Sequence, residues 1–171
     1  MTDATTREEQ QLRWLNGLPG PKAVAALLRV CHSRRWAEQV ALRRPYASVQ
    51  RLQAVADEVW MGLGADGWLE ALAAHPRIGE RGGASAAWSA WEQAAVGSAA
   101  DDVRAAIAQG NRAYEERFGH VFLIAAQGRG AEEILANLRG RIGNDPATEL
   151  RVAAEEHGRI TRQRIERLMR E

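Results

Sequence analysis

The stretch NDPATELRVAAEEHGRITRQRIERLMR (144–170) decides how the rest of the chain is read. Asn144-Asp145-Pro146 is a helix-start signal. A proline near the first helical position has the right φ and lacks only an N–H that would be unpaired there anyway. Beyond it, Leu150, Ala153, His157, Ile160, Arg164 and Leu168 fall on one line at helical spacing. The spacing predicts one long helix from Pro146 to about Arg170. Such a helix must bury its apolar line against other elements.

Working back from that helix, the same period recurs. Ser48 starts a run with Val49, Leu52, Val55, Ala56, Val59 and Trp60 on one face. Residues 8–17 suggest a short first helix, ended at Pro19-Gly20-Pro21, and Lys22 to His32 is an apolar helix. Pro45 breaks the stretch that follows. Asp66 is placed to cap GWLEALAAH, which Pro76 stops. SAAWSAWEQAAV (85–96) reads as helix. Asp101 can cap a helix whose apolar line is Val103, Ile107, Gly110, Asn111, Tyr114 and Phe118, with Gly119 at its C-terminal end. Glu132 to Ile142 is a further helix. VFLIAA (121–126) is the one continuous apolar run, and periodicity leaves open whether it is a buried strand-like segment or a short buried helix. The predicted fold class is all-α: a single compact, bundle-like domain over residues 1–171, with its core from about 12 to 169.

The bulk numbers narrow the function classes. At 171 residues, roughly 70% of the unfolded surface can be buried, so a core needs no staples. Formal net charge is +1 and the arginines are scattered, which gives nucleic acid no basic footprint. No run approaches the ~18 apolar residues of a membrane span. One cysteine, Cys31, excludes an internal disulfide and reads as a small core residue. The polar N-terminal MTDATTREEQ is neither a signal nor a transit peptide, so the expected location is cytoplasmic. There is no HExxH, CxxC, GxxxxGK[ST] or GxSxG, so no metal site is expected.

Polar residues on apolar faces are costly unless paired, and three places show them. Ser89, Glu92, Gln93 and Val96 share one helical face, with Trp88 and Trp91 flanking Glu92. A carboxylate beside indoles is partly desolvated and suited to proton transfer; the same spacing also fits a solvated stripe. Arg164 lies among Ile160, Ile165 and Leu168, which should face the core. It needs an anionic partner, internal or from a ligand, unless it snorkels to the surface. His75 opens HPRIGE (75–80), and a residue before proline is restricted away from helix. That backbone suits a rigidly held acid or base, or merely a histidine closing a helix C-terminus. His157 lies on the inner line of the last helix with no obvious partner.

The ordered set HPRIGE, SAWEQ (89–93), NRAYEERFGHVFLIAAQGR (111–129), LRGR (138–141), ND (144–145), EL (149–150) and ITRQRIERL (160–168) resembles the 2-oxo-4-hydroxy-4-carboxy-5-ureidoimidazoline (OHCU) decarboxylase family. The resemblance covers about residues 12–169. Each motif is weak alone, and their order makes the combination specific. The sequence departs from the family at Ala94-Ala95, where many members have Ala-Gly, and in a short loop between His75 and Ser89. The resemblance implies an all-α, usually dimeric enzyme that needs no cofactor. It would convert a small urate-derived substrate to (S)-allantoin and carbon dioxide. It places the catalytic histidine on His75, the essential glutamate on Glu92 and the carboxylate-binding arginine on Arg164. Ser89 and Gln93 would stand beside Glu92, and Pro76 would line the pocket. Main chain of Phe122, Leu123, Ile124, Ala125 and Ala126 would hold the substrate ring. Two other readings remain at this point: an enzyme for a related ureide or hydantoin-like acid, and a non-catalytic binding protein of the same fold.

Overall fold

The computed structural model describes residues 2–75, 77–78 and 101–171. Among them are eight α-helices and no strand. They are α1 (Thr2–Gly17), α2 (Gly20–Val30), α3 (Arg34–Leu42), α4 (Val49–Gly62), α5 (Gly64–Ala73), α6 (Asp101–Phe118), α7 (Ala131–Arg141) and α8 (Pro146–Leu168). The all-α expectation holds. No helix among the described residues is long and apolar enough to cross a membrane. The helix expected over 85–96 lies outside the described residues.

Local chemistry explains most of the boundaries. Ser48 caps α4 by accepting the Arg51 N–H at 3.1 Å, and Ser33 caps α3 by accepting from Trp36 at 3.3 Å. The start of α5 differs from expectation. Gly64, with φ 70°, turns the chain directly out of α4, so the helix begins there and not after Asp66. Asp66 instead stands in the first turn, where the dipole still favours its charge.

The chain divides into two compact units, one running to Ala71 and joined by Gly158–Glu171, the other spanning Leu72–His157. In the first unit α1 packs on α2, α2 on α3 and α3 on α4. Leu15, Leu27, Val30, Trp36, Val40, Leu52 and Ile165 are all fully buried there. Each such side chain contributes roughly 1.5–3 kcal/mol of burial. The Trp36 indole N–H donates to the Ala56 carbonyl at 2.9 Å, so its polar edge is not left dry. Arg44 donates to the Leu15 and Leu18 carbonyls at 2.6 and 2.8 Å, satisfying the end of α1.

In the second unit α6 packs on α7. A Cβ built on Gly110 would come within 2.5 Å of Leu138 Cδ2, so the glycine is what lets Leu138 fill that face. Gly119, at φ 75°, ends α6 as expected, its N–H bonded to the Glu115 carbonyl at 2.8 Å. VFLIAA is neither helix nor strand. Residues Phe122 through Ala126 are nonetheless all buried. Phe122, Ile124 and Ala126 join Ile107, Tyr114, Ile134, Leu135 and Leu138 in one apolar cluster, whereas Leu123 and Ala125 do not. Alternation with period two is the signature of extended backbone.

Candidate functional site

His75 follows the end of α5, its N–H bonded to the Leu72 carbonyl at 3.1 Å. It is 6% exposed, and its ring meets His157 edge-on with centroids 4.9 Å apart. The residues after it are tied to α6. Arg77 makes a bidentate pair with Glu115 at 2.5 and 2.9 Å, and buried Asn111 donates to the Ile78 carbonyl at 2.9 Å. The backbone is therefore tied at His75 by the helix before it, and at Arg77 and Ile78 by α6. His157 was visible in the sequence as an inward polar residue; the structure supplies its neighbour.

The 121–126 segment is held by charged side chains. Arg141 Nη1 donates to the Leu123 carbonyl at 2.8 Å, and its guanidinium lies 4.6 Å over the Phe122 ring. Its Nε and Nη2 both donate to Glu149 Oε1, at 2.9 and 2.6 Å. Glu149 is fully buried and also accepts from Tyr114 O–H and, at 2.8 Å, from Asn144. Burial first, and then the Glu149 hydrogen bond, push the Tyr114 phenol well above its usual value, so it stays a donor. The Ala125 N–H donates to Glu156 Oε2 at 2.8 Å, and Glu156 pairs with Arg129 at 3.7 Å. Arg141 and Glu149 lie in the motifs LRGR and EL, where the sequence assigns them no role, and Glu156 lies in no motif. The usable signal was that each stands at helical spacing from buried apolar residues, as Arg164 does.

Arg164 belongs to the first unit and is 1% exposed, with Nη1 donating to the Val30 carbonyl at 3.3 Å. It is buried and does not snorkel. Its charge acts on its neighbours: burial and then Arg164 lower the His32 pKa. Cys31, also buried, is pushed up from 9.0 to about 12, burial outweighing the opposing Arg164 charge. That thiol is core and not a nucleophile. Among the described residues no group of three His, Cys, Asp or Glu is placed to hold a metal ion. Pro76, Ser89, Glu92 and Gln93 lie outside the described residues.

The described residues thus define an all-helical protein with a buried histidine pair and a buried, irregular apolar segment pinned by the Arg141 and Glu156 side chains. The chain belongs to the OHCU decarboxylase family, whose model matches residues 16–166. It is 33% identical over 144 residues to a uric acid degradation bifunctional protein TTL of Arabidopsis thaliana, covering 81% of this chain and 44% of that protein. It is 35% identical over 128 residues to a 2-oxo-4-hydroxy-4-carboxy-5-ureidoimidazoline decarboxylase of Amia calva, covering 72% and 73%. A crystal structure of an OHCU decarboxylase in the presence of (S)-allantoin matches with a TM-score of 0.75 at 30% identity, covering 84% of this chain and 96% of that one.

Proposed function

We propose that this chain decarboxylates 2-oxo-4-hydroxy-4-carboxy-5-ureidoimidazoline to (S)-allantoin and carbon dioxide in urate catabolism. The observation that carries the reading is the match to the OHCU decarboxylase family across residues 16–166. The buried His75, edge-on to His157, supports it.

The chemistry needs few parts. The substrate carries a carboxylate and a hydroxyl on one ring carbon, next to a ring C=N. When the bond to the carboxylate breaks, its electron pair forms a carbon–carbon double bond and the ring nitrogen takes a proton. The substrate is its own electron sink, so the step proceeds without a cofactor. The hydroxyl then loses its proton as it becomes a carbonyl, and the ureido-bearing carbon is protonated from one face. That last step sets the product's configuration.

In this reading Arg164 orients the carboxylate. Binding it more tightly than the transition state would slow the reaction, so orientation is the useful part. His75 serves the hydroxyl side as acid and base, with Glu92 assisting. Pro76, Ser89 and Gln93 line the pocket, and Gln93 with the main chain of Phe122 to Ala126 holds the ring edge by paired hydrogen bonds, where a mismatch is costly. The enzyme works as a cytoplasmic homodimer.

The test is stereochemical, because spontaneous decay of the same substrate also gives allantoin, as a racemate. The substrate is generated in situ from urate with urate oxidase and hydroxyisourate hydrolase, this protein is added, and circular dichroism follows the allantoin. Rapid formation of one enantiomer is expected. Slow racemic product, unchanged by the protein, would sink the reading and leave a related ureide as the substrate to test.

A further inference from the structure

We infer that Glu156 and Arg141 are positioning residues for substrate recognition: together they occupy one edge of the 121–126 segment and so set which main-chain groups face a ligand. This rests on the proposed function above, in which that segment holds the substrate ring.

In extended backbone the N–H and C=O of one residue point to the same lateral edge, and those of the next residue point to the other. The Leu123 carbonyl and the Ala125 N–H therefore share an edge. These are the two groups taken by side chains, Leu123 by Arg141 at 2.8 Å and Ala125 by Glu156 at 2.8 Å. Each is a charge-assisted hydrogen bond with a buried side chain, Arg141 donating at 8% exposure and Glu156 accepting at 5%. On the opposite edge the main-chain groups of Phe122 and Ile124 make no hydrogen bond to another described residue. The Ala126 carbonyl, on that same edge, accepts from Arg129 N–H at 3.0 Å and closes the turn beyond it. Among the groups of that edge the Ile124 N–H stands beside the Ile124 carbonyl, a donor and acceptor pair that matches a cyclic amide.

A slip of one residue would exchange the two edges. It would also turn Phe122, Ile124 and Ala126 out of the apolar cluster they share with Tyr114 and Leu138. The apolar contacts fix which face is inward. Arg141 and Glu156 then hold the edge and the height of the segment. Glu156 stands out as a positioning group because it uses one oxygen on Ala125 and the other on Arg129, 3.7 Å away. Its acceptor geometry and its charge can thus be separated by substitution.

The experiment compares Glu156→Met, which has similar length and no acceptor, with Glu156→Gln, which keeps an acceptor oxygen and loses the charge. Steady-state kcat and KM on substrate generated in situ are measured beside the dissociation constant for (S)-allantoin and the Tm. Losing a charge-assisted hydrogen bond that orders a binding edge should weaken recognition about tenfold or more. The expected result for Glu156→Met is that rise in both KM and the allantoin dissociation constant, with kcat within about twofold of wild type, the pattern of lost uniform binding. Glu156→Gln should restore both. A merely structural glutamate would lower Tm and the active fraction while leaving KM alone.

Unchanged KM and allantoin affinity in folded Glu156→Met, or equal weakening in both variants, overturns the inference. Should Glu156→Met not fold, Glu156→Gln and hydrogen exchange of the wild-type Ala125 amide decide. A tenfold weakening in the first, or fast exchange in the second, overturns it. Wild-type protein that neither accelerates the reaction nor binds (S)-allantoin would count against the proposed function, while Ala125 exchange would still test the brace itself.

Discussion

Replacing Arg141 by leucine should be among the most destabilising single changes in the chain. The side chain makes two hydrogen bonds to Glu149, at 2.9 and 2.6 Å, and one to the Leu123 carbonyl at 2.8 Å. Glu149 has no exposed surface, and without Arg141 it keeps only Tyr114 and Asn144 as neutral donors. Breaking a buried pair from one side costs about 3–5 kcal/mol, because a desolvated charge is left without its counter-ion. The lost contact over Phe122 adds about 0.5–1 kcal/mol. The sum is about 3.5–6 kcal/mol, a large part of the roughly 5–15 kcal/mol that holds an ordinary domain together. At about 2–4 °C per kcal/mol for a chain of this size, Tm should fall by roughly 7–24 °C. Thermal and urea unfolding followed by helical circular dichroism reads the change. The decisive comparison is the double variant Arg141→Leu, Glu149→Leu. Removing both charges should recover most of the loss, since a buried pair is often matched by well-packed apolar groups. Should Arg141→Leu cost less than about 1 kcal/mol, or should the two changes simply add, the pair is not coupled as described.

Further expectations follow from the same geometry. His75→Ala should leave Tm nearly unchanged and lower the rate of (S)-allantoin formation by at least about 100-fold, as for loss of a general acid–base group; substantial residual rate in folded protein contradicts the role. Cys31 should resist a thiol reagent at neutral pH and react fully only on unfolding, because burial raises its pKa to about 12. Stability should decline at alkaline pH. The folded chain holds the Cys31 and Tyr46 protons more tightly than the unfolded one, both pKa values being raised to about 12 by burial from 9.0 and 10.0. That stabilisation is complete below the lower values and lost as pH rises toward the higher ones; Tyr46→Phe should make the fall in Tm shallower, and an unchanged slope counts against it. Ser48→Ala removes the cap of α4 and should cost about 1 kcal/mol, which Ser48→Asp should largely restore.

The helices were legible because their signal is local. Ser48, Gly119 and Pro146 mark ends by their own backbone and side-chain chemistry, and the apolar period fills the interval between them. Asp66 misled for the same reason: capping chemistry was present, but the left-handed Gly64 started the helix earlier. VFLIAA was not legible. A fully apolar run carries no period, and what fixes this one is remote in sequence. Its carbonyl and amide are satisfied by Arg141 and Glu156, side chains on other helices. Nothing within six apolar residues announces that partnership.

The candidate residues divide along the same line. Arg164 was visible because it interrupts an apolar stripe, and His75 because proline restricts it. Arg141 and Glu149 stand in the motifs LRGR and EL without a role assigned to them, and Glu156 in none, because charged side chains are presumed solvated, although each is spaced from apolar residues as Arg164 is. Along α8 the buried residues include Glu149, Glu156, His157, Thr161 and Arg164. A helix meant only to pack would carry leucine or alanine at those positions and gain stability by it, since each buried charge costs several kcal/mol before its partners repay it. Two of the five have a direct account in the geometry: Glu149 holds the arginine that holds Leu123, and Glu156 holds Ala125. His157 stands against the imidazole read as acid and base. For these three residues burial is accounted for by the group each one meets and not by apolar packing.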